Sequence, residues 1–321
     1  MKEYAPIILF VYNRPTHTKI VVEALKQNAL ARHSDLFVYA DGPKVESTIE
    51  DRVRIEKVRK YIREISGFRN IYVVEEEKNK GLDLSEINAI SEVISEYGRA
   101  IIIEDDIVTL PFFLQFMNDA LDYYENNNKV FTIGSFSPQI PYLHKIHEDM
   151  YGSYRTESWG WATWRNRWEK CNWQKEYLKN TQLIKKTTLL KIFKYNRGGG
   201  DLYDNLLAYI DGDTDAWDAR WQYCLYENNG VCIRPTRSLS YNIGLDGTGE
   251  HCGYVDNIEA CGLMPNLYKS KKYVFKFIHK VKVSIRLQFA MRKYYAYDKI
   301  SLYKKIKKII KSRIKFAMHN V

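Results

Sequence analysis

The sequence predicts an α/β protein whose mainly parallel sheet is flanked by helices, and three observations support this class. Four short apolar segments in the first third of the chain alternate with stretches of helical periodicity. The connections between them are short, and each apolar segment ends in polar residues. The chain has 321 residues, 45% of them hydrophobic, which is enough for a large core in one or two domains. No apolar run reaches the roughly 18–20 residues of a membrane-spanning helix.

The first third is predicted to contain four strands and three helices. We expect strands at 7–13, 35–42, 70–77 and 100–106, and helices at about 15–30, 49–65 and 84–97. Strand–helix alternation is typical of βαβ units, which align their strands in parallel and cover both faces of the sheet. Such sheets bind ligands beyond the carboxyl ends of their strands. We therefore expect four polar strand ends to lie on one rim: Asn13-Arg14, Asp41-Gly42, Glu75 to Glu77, and Glu104 to Asp106.

Three consecutive acids, Glu104, Asp105 and Asp106, follow the fourth apolar segment. Adjacent carboxylates repel one another and lose solvation on burial unless a cation compensates them. Aspartates at a strand end suit a hard divalent ion, Mg²⁺ or Mn²⁺, which shares its other ligand positions with phosphates and water. Strand alternation would place Glu104 and Asp106 on one side and Asp105 on the other. Asp106 is therefore the first candidate for the metal ligand.

The phosphate-binding motifs of two large nucleotide-binding classes are absent from the sequence. No GxGxxG follows the first predicted strand, and no GxxxxGK[ST] occurs anywhere. These absences argue against a dinucleotide-binding Rossmann enzyme and against a P-loop NTPase. The phosphates of a bound nucleotide would need another source of positive charge, and a metal at the fourth strand end would supply it.

The middle of the chain, from about 135 to 265, is rich in Trp, Tyr, Gly and Asp. Aromatic rings beside acids and amides suit sugar recognition, although each tryptophan equally suits ordinary packing. Four tryptophans fall within the segment 153–168, at Trp159, Trp161, Trp164 and Trp168. This density favours ligand contact by at least part of the cluster.

Three segments resemble the N-acetylglucosaminyltransferase I family and its bacterial relatives, which are nucleotide-sugar glycosyltransferases of the GT-A, Rossmann-like fold. IIIEDDIVTLPFFLQF resembles the metal-binding EDD segment of that family, and YRTESWGWATW resembles its acceptor-side YRT…GWLL segment. CIRPTRSLSYNIGLDGTGEH resembles its CIRPE…FGxxGxSHG segment. The order and spacing agree over roughly residues 5–255.

The resemblance implies a role for each matching residue. Nucleotide and donor-sugar contacts are expected at Arg14, Asp41, Glu104, Asp105, Trp161 and His251. Among them Arg14 and Asp41 match positions that hold the base and ribose, and His251 lies near the diphosphate. Asp106 matches the single protein ligand to Mn²⁺. A sugar contact by Asp105 requires the fourth strand to have ended at Glu104, and we expect the following acids to occupy a turn.

The resemblance also implies an inverting reaction in which one carboxylate takes the proton of an acceptor hydroxyl. The family holds this base in a Trp-Asp-Asp-Trp stretch, where this chain has AWDARW. Asp218 is the predicted base, with Asp215 as the second candidate. Helix capping or an ion pair with Arg220 is the structural alternative for Asp218. Two other functions stay open: a nucleotidyl- or phosphotransferase with the same acidic metal site, and a non-catalytic carbohydrate-binding protein.

The sequence divides into a body at 1–266 and a basic tail at 267–321. The body comprises a nucleotide-binding half, 1–134, and an acceptor-side half, 135–266. The tail carries 17 Lys and Arg against one acid, although the net charge of the whole chain is only +10.

The tail is predicted to contain a basic amphipathic helix, because its apolar residues recur at spacings of three and four. They are Tyr303, Ile306, Ile310, Ile314 and Ala317. Such a helix suits an anionic membrane surface, and nothing else in the chain resembles a nucleic-acid-binding module. The first residues, MKEYAPIILF, lack the layout of a secretory signal. We therefore expect a cytoplasmic protein, peripheral on the inner face of the cell membrane. A glycan or lipid-linked acceptor in bacterial surface polysaccharide synthesis fits that location, and the donor favoured by the resemblance is a UDP-sugar.

Overall fold

The computed structural model describes residues 3–247 and 273–295. Its strands are β1 (Ile7–Val11), β2 (Leu36–Ala40), β3 (Ile71–Glu75), β4 (Arg99–Glu104), β5 (Ile107–Thr109), β6 (Val130–Gly134), β7 (Met150–Ser153), β8 (Trp161–Trp164), β9 (Val231–Pro235) and β10 (Ser240–Asn242). Its α-helices are α1 (Pro15–Lys26), α2 (Ile49–Arg63), α3 (Leu82–Tyr97), α4 (Phe113–Tyr124), α5 (Arg165–Trp168), α6 (Lys175–Lys179), α7 (Gln182–Lys185), α8 (Leu189–Tyr195), α9 (Leu202–Asp211), α10 (Asp218–Glu227) and α11 (Ile285–Tyr294).

Eight of the strands form one central sheet in the order β3-β2-β1-β4-β8-β6-β9-β7. The pairs β1–β2, β1–β4, β2–β3 and β6–β9 are parallel. Only β8 and β7 run against their neighbours. The other six strands therefore share one direction, and the predicted class, a mainly parallel α/β sheet flanked by helices, is confirmed.

Helices cover both faces of the sheet because its strands present apolar side chains to both faces. On one face, Ile7 and Leu9 of β1 pack in a core with Val21 of α1 and Phe116 of α4. On the other face, Ile8 of β1 packs in a second core with residues of α3 and α10. Such double cover explains why these strands are nearly continuous apolar runs.

The polar strand ends lie on one rim, as the alternation predicts. Phe10, near the end of β1, is opposite Glu104, the last residue of β4. In the same way Val11 is opposite Ala40, and Ala40 is opposite Glu75. The fourth strand ends at Glu104, two residues before the predicted end at 106, and the two aspartates occupy a turn before β5 begins, as expected for a contact by Asp105. The short strand β5 pairs with β10, which brings the chain after β10 next to the acids.

Residues 273–295, which the sequence assigns to the tail, pack against the body. Phe275 and Val281 are buried in the first core, and the ring centroids of Phe275 and Phe116 are 5.0 Å apart. Leu287 and Met291 of α11 form a separate small core with residues that precede and form β7. The described part of the basic segment is thus joined to the body, and the division at 266/267 stays a prediction.

The predicted amphipathic helix around residues 303–317 lies outside the described residues. Among residues 3–247 and 273–295, no helix combines the length and the apolar character needed to cross a bilayer.

Candidate active site

Arg14, just after β1, holds both aspartates of the turn that follows β4. Its Nη2 pairs with Asp105 Oδ1, and its Nη1 donates to Asp106 Oδ2 at 3.0 Å. The backbone N–H of Tyr12 also points to Asp105, with 3.4 Å from N to Oδ2. The alternation that would turn Asp105 away from Asp106 does not apply, because the chain has already left the strand at Glu104.

Further carboxylates surround this turn. Glu86 of α3 is 1% exposed, and neither of its carboxylate oxygens has a hydrogen-bond partner of normal geometry among the described residues. Burial raises the pKa of Glu86 to about 8; the charges of Asp218 and Asp106 add to this, whereas the nearby Trp217 side chain opposes it. Burial also raises the pKa of Glu104 well above its usual range, with further contributions from Glu86 and the two aspartates.

Five carboxylates therefore act on one another in this region, and Arg14 compensates part of their charge. Burial raises the pKa of Asp105 to about 6 even though the Arg14 guanidinium opposes the shift. Burial and mutual repulsion make the ionised forms of these acids unfavourable. A bound divalent cation would stabilise the ionised forms.

Asp106 has the atom that could hold such a cation. Its Oδ1 is buried without a hydrogen-bond partner in the described part of the chain, while its Oδ2 accepts the bond from Arg14. Within that same part, no group of three His, Cys, Asp or Glu side chains is arranged to chelate a metal. One carboxylate ligand, with phosphate oxygens and water completing the shell, is a normal arrangement for Mg²⁺ and related hard ions. The residues present therefore fit a single-ligand metal site.

The chain after β10 lies directly over these acids. The N–H of Ile243 donates to the backbone oxygen of Asp106 at 2.9 Å. A Cβ at Gly244 would overlap Asp106 Oδ2 and stand 3.0 Å from Arg14 Nη1, so only glycine allows this approach. Next to it, His17 Nε2 lies 3.2 Å from Asp246 Oδ2. His251, the predicted diphosphate contact, follows this segment but lies outside the described residues.

Asp41 lies on the same rim, at the end of β2, but part of its carboxylate has a local structural use. Its Oδ1 accepts the backbone N–H groups of Gly42 at 2.8 Å and Lys80 at 3.0 Å. These bonds tie the end of β2 to the loop before α3. A ribose contact by Asp41 stays a prediction, and it would have to use the other carboxylate oxygen or a bifurcated bond.

The placement of Trp161 does not fit the predicted donor-sugar contact. Trp161 is 1% exposed and packs against Trp168, Trp217 and Trp221, with ring centroids 6.0, 5.8 and 6.0 Å away. Trp164, also on β8, is buried in the core on the opposite face of the sheet. Because both faces are covered, strand alternation buries both rings, and the tryptophans of β8 are core residues.

Asp218 is the first residue of α10, and it is half-buried beside a cavity. Arg220, the predicted ion-pair partner, pairs instead with Asp83 and donates to the carbonyl oxygen of Trp173. Asp215 is exposed in the loop before the helix. The charge of Asp218 acts on Glu86, which also feels Asp106, so Asp218 is electrostatically linked to the acids of the rim.

Glu86 is the residue that the sequence analysis missed. It lies on the same helical face as Ile90, Val93 and Tyr97, at spacings of four, three and four residues. The sequence did contain a signal for Glu86: it is an acid within the apolar stripe of a helix that covers a sheet. That stripe must face the interior.

We expect the stability of the metal-free protein to depend less on pH, between about pH 5 and 8, in Glu86→Gln than in wild type. The folded-state pKa of Glu86, about 8, lies above its ordinary value of 4.5. Such a group contributes stability at low pH and loses it as pH rises through the folded pKa. The wild-type free energy of unfolding should therefore fall between about pH 5 and 8, by on the order of 3 kcal/mol from this group.

Urea unfolding in chelator across that pH range measures this effect. Glu96→Gln, which removes an exposed acid from the same helix, is the matched control and should keep the wild-type slope. If Glu86→Gln and wild type show the same pH dependence, the described burial of this carboxyl is wrong.

No family model matches this chain, and no curated protein matches it. Among solved structures it is similar to S. aureus TarS 1–349, at 12% identity and a TM-score of 0.41, over 76% of this chain and 61% of that one. It is similar to the mannosyltransferase PcManGT from Pyrobaculum calidifontis, solved with GDP-Man and Mn²⁺, at 10% identity and a TM-score of 0.40 over 70% of each chain. It is also similar to CMP:2-keto-3-deoxy-manno-octonic acid synthetase with CTP, at 10% identity and a TM-score of 0.31, over 59% of this chain and 85% of that one.

The chain spans less than two thirds of the TarS chain that it matches. TM-scores of this size identify neither a family nor an activity, and the three names state different reactions or none.

Proposed function

We propose that this chain is a metal-dependent, inverting glycosyltransferase of the GT-A type. It would move a sugar from a nucleotide-diphosphate donor, with a UDP-sugar favoured by the sequence resemblance, to a hydroxyl of a glycan or lipid-linked acceptor. The observation that carries the proposal is Asp106 Oδ1, a buried carboxylate oxygen without a partner among the described residues, at the carboxyl end of a parallel strand. This position is where open α/β sheets bind ligands.

The donor side of the site would consist of the rim residues. Arg14, at the end of β1, lies beside the turn that holds Asp105 and Asp106, and Asp41 follows at the end of β2, one strand further along the rim. When bound at Asp106, Mn²⁺ or Mg²⁺ would offset the charge of the departing diphosphate. Arg14 fixes the carboxylates of the turn, so that Asp106 Oδ1 is oriented before any ligand arrives.

The proposed reaction is a single displacement. The acceptor oxygen forms a bond to the anomeric carbon of the donor sugar while its proton passes to a carboxylate oxygen of Asp218. The bond between that carbon and the phosphate oxygen breaks, and its electron pair leaves with the nucleoside diphosphate. Asp218 suits the role of base because the N-terminus of a helix favours the ionised form of a carboxylate at this position. One base suffices, in contrast to the paired carboxylates of glycosidases.

Turnover assays with a panel of nucleotide sugars, each with Mn²⁺ or with chelator, test this function. We expect one of the sugars to yield free nucleoside diphosphate, and only in the presence of metal. Release of pyrophosphate from a nucleoside triphosphate and a sugar phosphate would instead establish a nucleotidyltransferase. Metal-independent turnover would contradict the role of Asp106.

We also propose that the protein docks on an anionic membrane, where a lipid-linked acceptor would be found. Residues 273–295 contain six Lys and Arg and no acid. Within this segment α11 exposes Ile285 (70%) and Phe289 (58%), and the adjacent helix α8 exposes Leu190 (77%). The two helices touch through Arg292, whose Cζ lies 3.9 Å from the centroid of the Phe193 ring. Exposed apolar side chains among basic ones are typical of membrane-surface helices.

The membrane proposal predicts that Leu190→Glu combined with Phe289→Glu weakens binding to vesicles that contain phosphatidylglycerol. Each substitution removes an apolar contact and adds a charge that the lipid repels. Sedimentation with such vesicles measures the effect, and Val45→Glu, at a site 96% exposed in the loop after β2, is the control. Equal sedimentation of wild type and the double variant would show that this surface does not bind the membrane.

A further inference from the structure

A cavity of about 390 Å³ adjoins Asp218, between α9, α10 and the segment that follows β7. Besides Asp218, its polar lining comes from side chains on five separate stretches of the chain: Arg155, Thr156, Tyr195, Asn205, Thr214 and Gln222. The volume lies in the range of small-molecule sites, which combine apolar walls with a few placed polar groups.

One polar atom of this lining has no explained structural use. Tyr195, the last residue of α8, is 1% exposed, and its hydroxyl has no hydrogen-bond partner among the described residues. Buried hydroxyl groups are normally paired because an unpaired one loses its bonds to water without replacement. Its neighbour Tyr203 follows that rule, since its hydroxyl lies 3.0 Å from Thr187 Oγ1. Tyr195 lines the cavity, so a ligand bound there would supply the partner that its hydroxyl lacks.

The charges of the lining indicate what kind of ligand fits. Arg155 is the cation among the described lining residues. Its Nη1 and Nη2 donate to the two carboxylate oxygens of Asp201 at 2.8 and 3.0 Å, and its Cζ lies 3.9 Å from the centroid of the Tyr295 ring. Its charge is therefore already compensated. Asp218 contributes a carboxylate, and the remaining polar groups are hydroxyls and amides. A phosphate or carboxylate in this cavity would meet Asp218 without a compensating cation from the lining.

The position of the cavity relates it to the rim. Asp218 lines the cavity, and its charge acts on Glu86, which also feels Asp106. Trp217, the residue before Asp218, packs on Trp161 of β8, the strand beside β4. A hydroxyl group at Asp218 would therefore stand near the β4 end of the rim, where the metal and donor are proposed to bind. Tyr195 belongs to α8, the helix that exposes apolar side chains at the proposed membrane surface.

We infer that this cavity is the acceptor subsite of the proposed transferase and that it takes an uncharged sugar ring. One hydroxyl of that ring lies at Asp218 and a second accepts or donates a hydrogen bond at Tyr195 Oη. The role of the cavity as an acceptor site rests on the proposed function. Binding of a neutral sugar to the cavity can be tested without turnover. A site that pairs a buried hydroxyl with its ligand discriminates strongly against analogues that lack the partner group.

The test is saturation-transfer NMR on the whole protein with methyl glycosides of glucose, galactose and N-acetylglucosamine, and with glycerol phosphate as an anionic comparator. We expect at least one glycoside to bind and glycerol phosphate not to bind. Tyr195→Phe should weaken glycoside binding by roughly three- to tenfold, the effect of one hydrogen bond, without lowering the melting temperature. Tyr203→Phe should leave the affinity within about twofold and lower the melting temperature, because it removes a paired hydroxyl.

Three results would overturn the inference: no glycoside binds, glycerol phosphate binds as well as the glycosides, or both tyrosine variants weaken binding equally. Nucleoside diphosphate binding with Mn²⁺ is measured on the same proteins and should be unchanged in Tyr195→Phe. If wild type binds a glycoside but no nucleotide, the transferase proposal fails while the cavity remains a sugar site. If it binds nucleotide but no glycoside, the cavity inference fails alone.

Discussion

Asp218→Asn is expected to lower the rate of sugar transfer by roughly 10²- to 10⁴-fold, the usual contribution of a positioned general base. The amide cannot take the proton of the attacking hydroxyl, although it has nearly the same shape as the carboxylate. Asp218 lies at the start of α10 and lines the cavity, so the substitution leaves the turn that holds Asp106 unaltered. Donor binding with metal should therefore stay near the wild-type value.

Steady-state release of nucleoside diphosphate, with donor affinity measured separately, separates these effects. Asp215→Asn is the matched control, because Asp215 is exposed in the loop that leads to the same helix. We expect that variant to keep nearly normal turnover. Near-normal turnover of Asp218→Asn, with a loss in Asp215→Asn, would transfer the role of base to Asp215.

Asp106→Asn is expected to abolish metal-dependent nucleotide binding without destabilising the metal-free protein. Loss of outer-shell partners alone costs metal affinity about 10- to 100-fold, so loss of the only protein ligand should cost more than about 100-fold. The amide oxygen can still accept the hydrogen bond from Arg14, and the substitution removes a buried negative charge that raises the pKa of Glu86, Glu104 and Asp105. The free energy of unfolding in chelator should therefore be unchanged or higher.

Calorimetric titration of UDP with Mn²⁺, together with urea unfolding in chelator, measures both effects. Asp122→Asn provides a control for simple loss of an acid, since Asp122 pairs with Arg99 outside the cluster. A large loss of stability in Asp106→Asn would show that this carboxylate is structural. Unchanged metal-dependent binding would show that the ion lies elsewhere.

The first four strands and their common rim could be predicted because their determinants are local. Apolar runs of strand length, each followed by polar residues and a helical period, leave few arrangements other than βαβ units. The turn at Asp105 and Asp106 followed in the same way, since three acids cannot continue a strand that is covered on both faces. Arg14 and the two aspartates therefore meet as the alternation and the resemblance together led us to expect.

The rest of the fold and of the site could not be predicted, because it depends on contacts between distant segments. Whether a tryptophan meets a ligand or the core depends on which faces are covered, and the cover over Trp161 comes from α5 and α10. The cavity beside Asp218 needs α8, α9 and α10 to assemble, and short helices with weak local patterns do not reveal that assembly. Packing of residues 273–295 against α4 was missed because their six Lys and Arg, with no acid, assigned them to the basic tail, although Phe275 is buried.

Crystals of the wild-type protein grown with UDP and Mn²⁺, with data collected at the manganese absorption edge, test the central claim most directly. We predict one anomalous peak at the rim, bonded to Asp106 Oδ1 and to oxygens of the diphosphate. A diphosphate held at the rim without manganese, or a manganese ion whose protein ligands exclude Asp106, would contradict it.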